Sequence, residues 1–97
     1  MSDPIPQPAD DLVCFMSEPV YFDKEFDGRK PNTVRECKPG DERFVRLRSG
    51  IAKRIRITNT KTGASFERKI TDVSFWKNIC DVSWKHEDTP LVESDYA

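Results

Sequence analysis

Lys30 and Thr33 lie three residues apart in the stretch FDGRKPNTVRE, Phe26 to Glu36, with Arg29 and Arg35 on either side. An ammonium, a hydroxyl and two guanidiniums set around Gly28 and Pro31 can grip a phosphate or a base edge. Arginine offers a planar fork of donors, and lysine a compact positive charge. The same composition also fits an exposed turn whose charges face solvent. Arg46 and Arg48 in RFVRLR, and Arg54 and Arg56 in IAKRIRITNT, form a second cationic group that alternates with apolar residues. Trp76, next to Lys77 and Asn78 at an element junction, is the aromatic best placed to stack on an unpaired base. Phe75 and Trp84 are the other aromatics nearby, and Trp84 reads as core.

The charge balance places these residues in context. The net charge is −1, yet the segment from Arg29 to Lys69 holds thirteen Lys or Arg and only four Asp or Glu. A basic middle between acidic flanks fits an anionic partner for the middle. It equally fits a surface balanced by the chain's own acids. The three cysteines, Cys14, Cys37 and Cys80, are widely spaced, and His86 is the single histidine. That set does not make the four close ligands of a structural zinc site, so no metal and no cofactor are expected. The cysteines fit a reducing compartment, where they act as small buried apolar residues. Neither a signal peptide nor an apolar run of membrane-spanning length stands out, so we expect a cytoplasmic protein without a membrane partner.

At 97 residues the chain has room for one domain. Residues 1–12 carry Pro4, Pro6, Pro8, Asp3, Asp10 and Asp11, and residues 86–97 read HEDTPLVESDYA. Neither end offers enough apolar surface to offset the entropy of ordering it, so both are expected to be disordered tails around a domain at 13–85. Within the domain, SEPVYFDKEFDG predicts a helix over 18–27. Ser17 is placed to cap it, Pro19 falls in its first turn and Gly28 ends it. Phe22 and Phe26, four apart, form its core stripe, and Asp23, Lys24, Glu25 and Asp27 fall on the remaining positions. TVREC reads as extended and KPGDE as a turn. RFVRLR predicts a strand, with Phe44 out of phase with Val45 and Leu47. IAKRIRITNT predicts a second strand with Ile51, Ile55 and Ile57 inward. FERKITDV, after the turn at Gly63, predicts a third with Phe66, Arg68 and Ile70 inward. FWKN reads as a brief helical turn, and ICDVSWK closes the domain as a strand. The fold class is therefore α+β, mostly β: one short N-terminal helix and a small, partly closed antiparallel barrel. If the strands flanking RSGIAK pair, Arg46, Arg48, Arg54 and Arg56 share one sheet face. Like charges directly opposite each other favour an anionic cover or acidic neighbours such as Glu42 and Glu67.

GRKPNTVR, after a short helix and before KPGD, resembles the ASCH domain of the PUA-like barrel superfamily. That family shows a Gly-x-Lys-x-x-Glu-x-Arg pattern followed by a Gly-Asp turn into a barrel strand. Gly28, Lys30, Arg35, Gly40 and Asp41 match, and Thr33 stands at the family's Glu position. The resemblance spans about residues 21–84, with its motif in the first third. It implies a PUA-like barrel and RNA-related work. GRKxxTxR is also similar to a bacterial ASCH branch of amidohydrolases that deacetylate N4-acetylcytidine, in which a Lys and a Thr act with a distant Glu. By position Lys30 and Thr33 would take those roles. Arg29 and Arg35 beside Lys30 would favour its neutral, nucleophile-activating form. Glu67 and Asp72 are the nearby acids, and neither stands in the matching context.

Three functional expectations follow. The first is a monomeric RNA- or nucleotide-binding domain that uses the loop at 28–35 and the basic barrel face. Arg29, Lys30, Arg35, Arg46, Arg48, Arg54 and Arg56 would meet phosphates, and Trp76 a base. The second is an amidohydrolase on an acylated nucleoside, centred on Lys30 and Thr33. The third is an accessory factor of the phage or mobile-element kind, acting through a protein partner.

Overall fold

A computed structural model describes residues 11–93. Its framework is set by one long strand. β4 (Ser65–Trp76) pairs antiparallel with β3 (Arg54–Asn59) through its first half and with β5 (Ile79–Trp84) through its second. The register shifts between Ile70 and Asp72. An irregularity of this kind bends a strand and increases its local twist. The sheet therefore curls into a half-barrel. β1 (Leu12–Ser17) continues it parallel to β3, and β2 (Asn32–Glu36) continues it antiparallel to β5, giving the order β1-β3-β4-β5-β2. β1 and β2 are thus the two edges of one mixed five-stranded sheet. The parallel β1–β3 pair departs from the all-antiparallel barrel expected from the sequence. A strand at residues 12–17 gives no alternating signal, because LVCFM is apolar almost throughout.

Two helices complete the fold. α1 (Pro19–Phe26) forms where the sequence places it, with Pro19 in its first turn and Gly28 beyond its end at φ 89°. Ser17 does not cap it. Its N-cap is Glu18, which makes no side-chain cap bond. α2 (Glu42–Ser49) replaces the strand expected at RFVRLR. Asp41 caps it by accepting a hydrogen bond from the Arg43 N–H, and Gly50 ends it in the left-handed region. Phe44 and Leu47, three apart, are its buried residues, whereas Val45 is exposed. The out-of-phase Phe44 was therefore marking a helix face. FWKN is likewise no helical turn. β4 runs on to Trp76, and Lys77 at φ 54° makes the hairpin turn into β5.

The core lies inside the curl, between sheet and helices. Val13 and Phe15 from β1, Ile55 and Ile57 from β3, Phe66 from β4, and Cys80, Val82 and Trp84 from β5 alternate inward and meet Phe22, Phe44 and Leu47. Trp84 is core, as expected, and Ile51 is exposed outside β3. Burial pushes the Cys80 thiol up to about 11, so it packs as a small apolar group. No helix of the described residues is long and apolar enough to cross a membrane. The tail assignments at 1–10 and 94–97 lie outside the described residues. Within them, Val92 forms an antiparallel bridge to Ser65, and Leu91 packs against the core.

Candidate functional site: the seam between the edge strands

The half-barrel leaves a seam between β1 and β2, and side chains span it. Strand alternation turns Thr33 and Arg35 inward from β2, while Val34 is exposed. From there the Arg35 guanidinium reaches β1. Its Nη1 donates to the Met16 carbonyl at 2.8 Å and its Nη2 to the Ser17 hydroxyl at 2.9 Å. Its Nε donates to the Thr33 hydroxyl at 2.9 Å. Two arginines of α2 extend the pattern along the same strand. Arg43 donates to the Cys14 carbonyl at 2.8 Å and Arg46 to the Leu12 carbonyl at 2.9 Å. Leu12, Cys14 and Met16 are successive alternate residues, so their carbonyls point to one side, away from β3. Arginines thus occupy the edge of β1, where a further strand would otherwise pair.

Lys30 and Thr33 sit at one end of this seam, on a cleft of about 510 Å³ also lined by Ser17, Tyr21 and Arg35. Thr33 is 2 % exposed. Behind Lys30 lies Glu25, 1 % exposed, which the sequence reading had assigned to the outer positions of α1. The Ser17 hydroxyl donates to one Glu25 oxygen at 2.7 Å, and the Lys30 ammonium lies 3.8 Å from the other. Lys30 also donates to the Asn32 carbonyl at 3.1 Å. An acid therefore stands beside Lys30, where the sequence offered only Glu67 and Asp72. Its signal was legible: Glu25 follows Phe22 by three residues and so shares its inward face. The cationic crowding expected around Lys30 does not arise, because Arg29 turns away onto Asp27 at 2.6 Å. Burial lowers the Arg35 pKa from the ordinary arginine value. Glu25 offsets part of that shift, and Arg43 adds to it.

A second cleft of about 410 Å³ adjoins the first through Met16 and Arg35 and brings in Arg43 and Lys38. A third, of about 630 Å³, adjoins that one through Lys38 and Phe44 and ends at Arg48 and Lys77. Together they form one groove along the seam and the β2–α2 loop. The sequence reading missed Arg43, Lys38, Ser17 and Glu25 as parts of it.

The remaining expected site residues lie elsewhere. Arg46 and Arg48 are on α2 and do not share a sheet face with Arg54 and Arg56. Arg48 stands over the Phe75 ring at 4.1 Å. Arg54 and Arg56 do lie on the outer face of β3, but acids meet them there. Arg54 forks onto Asp11 and reaches Glu67 at 3.1 Å, and Arg56 meets Glu67 at 2.8 Å. The four-arginine face is therefore absent. Trp76 sits at the β4–β5 turn, 70 % exposed, with the Lys77 ammonium 4.8 Å from its ring centre. Among the described residues, no three His, Cys, Asp or Glu come close enough together to hold a metal ion. Neither a protein-family model, nor a curated protein, nor a solved structure matches the chain.

Proposed function

We propose that this protein is a cytoplasmic RNA- or nucleotide-binding domain of the PUA-like, ASCH-like type, and that the seam groove is its binding surface. The observation that carries this reading is the convergence of Lys30, Thr33 and Arg35 on one cleft. The hydrogen bonds of Arg35 to the Met16 carbonyl and to the Ser17 and Thr33 hydroxyls hold this side chain in place without cancelling its charge. Lys30, Arg35, Lys38 and Arg43 then meet phosphates along the groove, and exposed Trp76 offers a ring for an unpaired base. Single-stranded RNA suits such a surface, because its bases are free to stack while its backbone follows the cations. Titrating a labelled single-stranded RNA at low and moderate salt tests this. Binding should weaken with salt, and Lys30→Ala should reduce the salt slope by about 1 with the fold intact. Absence of binding at low salt rules the reading out.

One observation favours a second reading, hydrolysis of an acylated nucleoside. Glu25 supplies an acid beside Lys30, which shares a cleft with Thr33. In this reading Lys30 first yields a proton to Glu25, Thr33 attacks the acyl carbon, and the neutral Lys30 amine takes the hydroxyl proton and passes it to the departing amine. Water then releases the acid from Thr33. The Arg35 Nε–H, 2.9 Å from the Thr33 oxygen, stabilises negative charge developing there. Incubation with N4-acetylcytidine should yield cytidine and acetate, and Thr33→Val should abolish the yield. Unchanged substrate eliminates this reading and leaves the first standing.

A further inference from the structure

Alternation along β4 turns Arg68 inward between Phe66 and Ile70, and the side chain is 2 % exposed. Its guanidinium lies over the rings of Phe66 at 4.8 Å and Phe26 at 5.7 Å. Only one end of the group is hydrogen-bonded. Nη1 donates to the Glu67 carbonyl at 2.8 Å and the Thr89 hydroxyl at 2.7 Å. Nε and Nη2 are buried without a partner. These two nitrogens form one edge of the planar group and point the same way, as a fork for two oxygens. Elsewhere in this protein the same edge closes on a carboxylate: Arg43 on Asp41, Arg54 on Asp11 and Arg56 on Glu67. Arg68 presents that edge to nothing. Trp84, whose ring packs edge-on to Phe66 at 6.3 Å, also buries an unpartnered Nε1–H. Around Phe66 the barrel interior thus gathers three N–H donors that lack an acceptor. Buried donors left in this state are rare in native proteins and point to a missing partner.

The segment after β5 runs past this cluster with few attachments. Val92 exchanges two backbone bonds with Ser65, Leu91 packs on the core, and Thr89 meets Arg68. Val92 itself and much of the segment are exposed. Glu87 and Asp88 attract the Arg68 charge through space, but neither accepts a hydrogen bond from it, and Asp88 is held by His86 at 2.9 Å. We propose that Arg68 and Trp84 form an internal anion site for a small molecule bearing a carboxylate or phosphate group, and that residues 86–92 are the cover this ligand displaces. Two oxygens of the anion take the Nε and Nη2 donors, and Trp84 Nε1 donates to one of them. The site is separate from the seam groove and does not depend on the function proposed for it.

The protein contains two tryptophans, so Trp76→Phe leaves Trp84 as the reporter inside the barrel. That variant is titrated with inorganic phosphate and, separately, with acetate, against chloride at equal ionic strength. Trp84 emission, thermal midpoint and amide exchange at Val92 are followed. The expected result is a saturable emission change and a raised midpoint, with faster Val92 exchange as the cover lifts. Phosphate alone, or acetate alone, acting in this way identifies the anion class. Arg68→Met in the same background should lose all three responses while keeping its far-ultraviolet dichroism. Arg68→Lys, which keeps the charge but not the fork, should lose them too if Arg68→Met fails to fold. Lys30→Ala should retain them. No saturable response beyond chloride overturns the proposal, and so does a response that survives the loss of the Arg68 fork.

Discussion

The outer face of β3 and the seam between β1 and β2 use the same residue types to opposite effect. On the outer face Arg54 and Arg56 stand directly against acids, Arg56 opposite Glu67 in register and Arg54 shared between Glu67 and Asp11. Their charge is cancelled where it arises. In the seam, Arg35, Arg43 and Arg46 donate to backbone carbonyls of β1, which fix a guanidinium but carry no net charge. Asp41 offsets Arg43, and Glu25 offsets Lys30, so the seam keeps its positive character mainly through Arg35 and Lys38. A count of basic residues therefore does not locate a cationic surface. What each one is bonded to does.

That contrast breaks most visibly at Glu25. Its carboxylate is buried between Ser17 and Lys30, so Glu25→Ala strands both partners and should lower stability by about 3 kcal/mol in urea denaturation. Glu67→Ala, on the open face, should cost less than about 1 kcal/mol. Equal effects would mean that the two regions do not differ in the way described. Arg35→Lys should cost about 2 kcal/mol, because one ammonium cannot serve Met16, Ser17 and Thr33 together, and the loss should appear as faster amide exchange in β1 and β2. Arg54→Lys on the outer face should leave stability nearly unchanged.

Gly28 tests the loop that delivers Lys30 to the seam. A Cβ there would meet the His86 ring at 2.8 Å, and the residue sits at φ 89°. Gly28→Ala should cost about 1–2 kcal/mol from the backbone conformation alone, read as a drop in thermal midpoint. The smallest effect concerns Asp41. The hydrogen bond from Arg43 holds its carboxyl below the ordinary value of 3.8, so its contribution is present above that pH and is lost as pH falls through the lowered pKa. Asp41→Asn should therefore be less stable than the parent near neutrality, by under about 1 kcal/mol. The difference should vanish in strong acid, as paired denaturation curves would show.

Much of the scaffold was legible in advance because its signals are local. Period-two alternation marked β3, β5 and the first half of β4, and Pro19 and Gly28 bracketed α1. The core position of Trp84 followed from the same alternation, and the exposure of Trp76 from its place beside Lys77 and Asn78 at an element junction. RFVRLR was ambiguous at this level, since Val45 and Leu47 fit a strand while Phe44 and Leu47 fit a helix. The Asp41 cap and Gly50 terminus resolve it toward helix, and with that change the expected four-arginine sheet face disappears.

The sequence by itself determined a mostly β domain with a helix ahead of a basic loop, and it placed Thr33 and Arg35 on one strand face. Tertiary structure decided which charges meet. Arg35 finds Ser17 eighteen residues away, Arg43 finds Cys14 twenty-nine away, and Arg46 finds Leu12 thirty-four away. Glu25 turns inward because its neighbours on α1 are Phe22 and Phe26, and the fold then brings Ser17 and Lys30 to it. Backbone periodicity is set within a few residues. The partner of a charged side chain is set by how distant strands are brought together, and a curled sheet with an open seam does that only once it has folded.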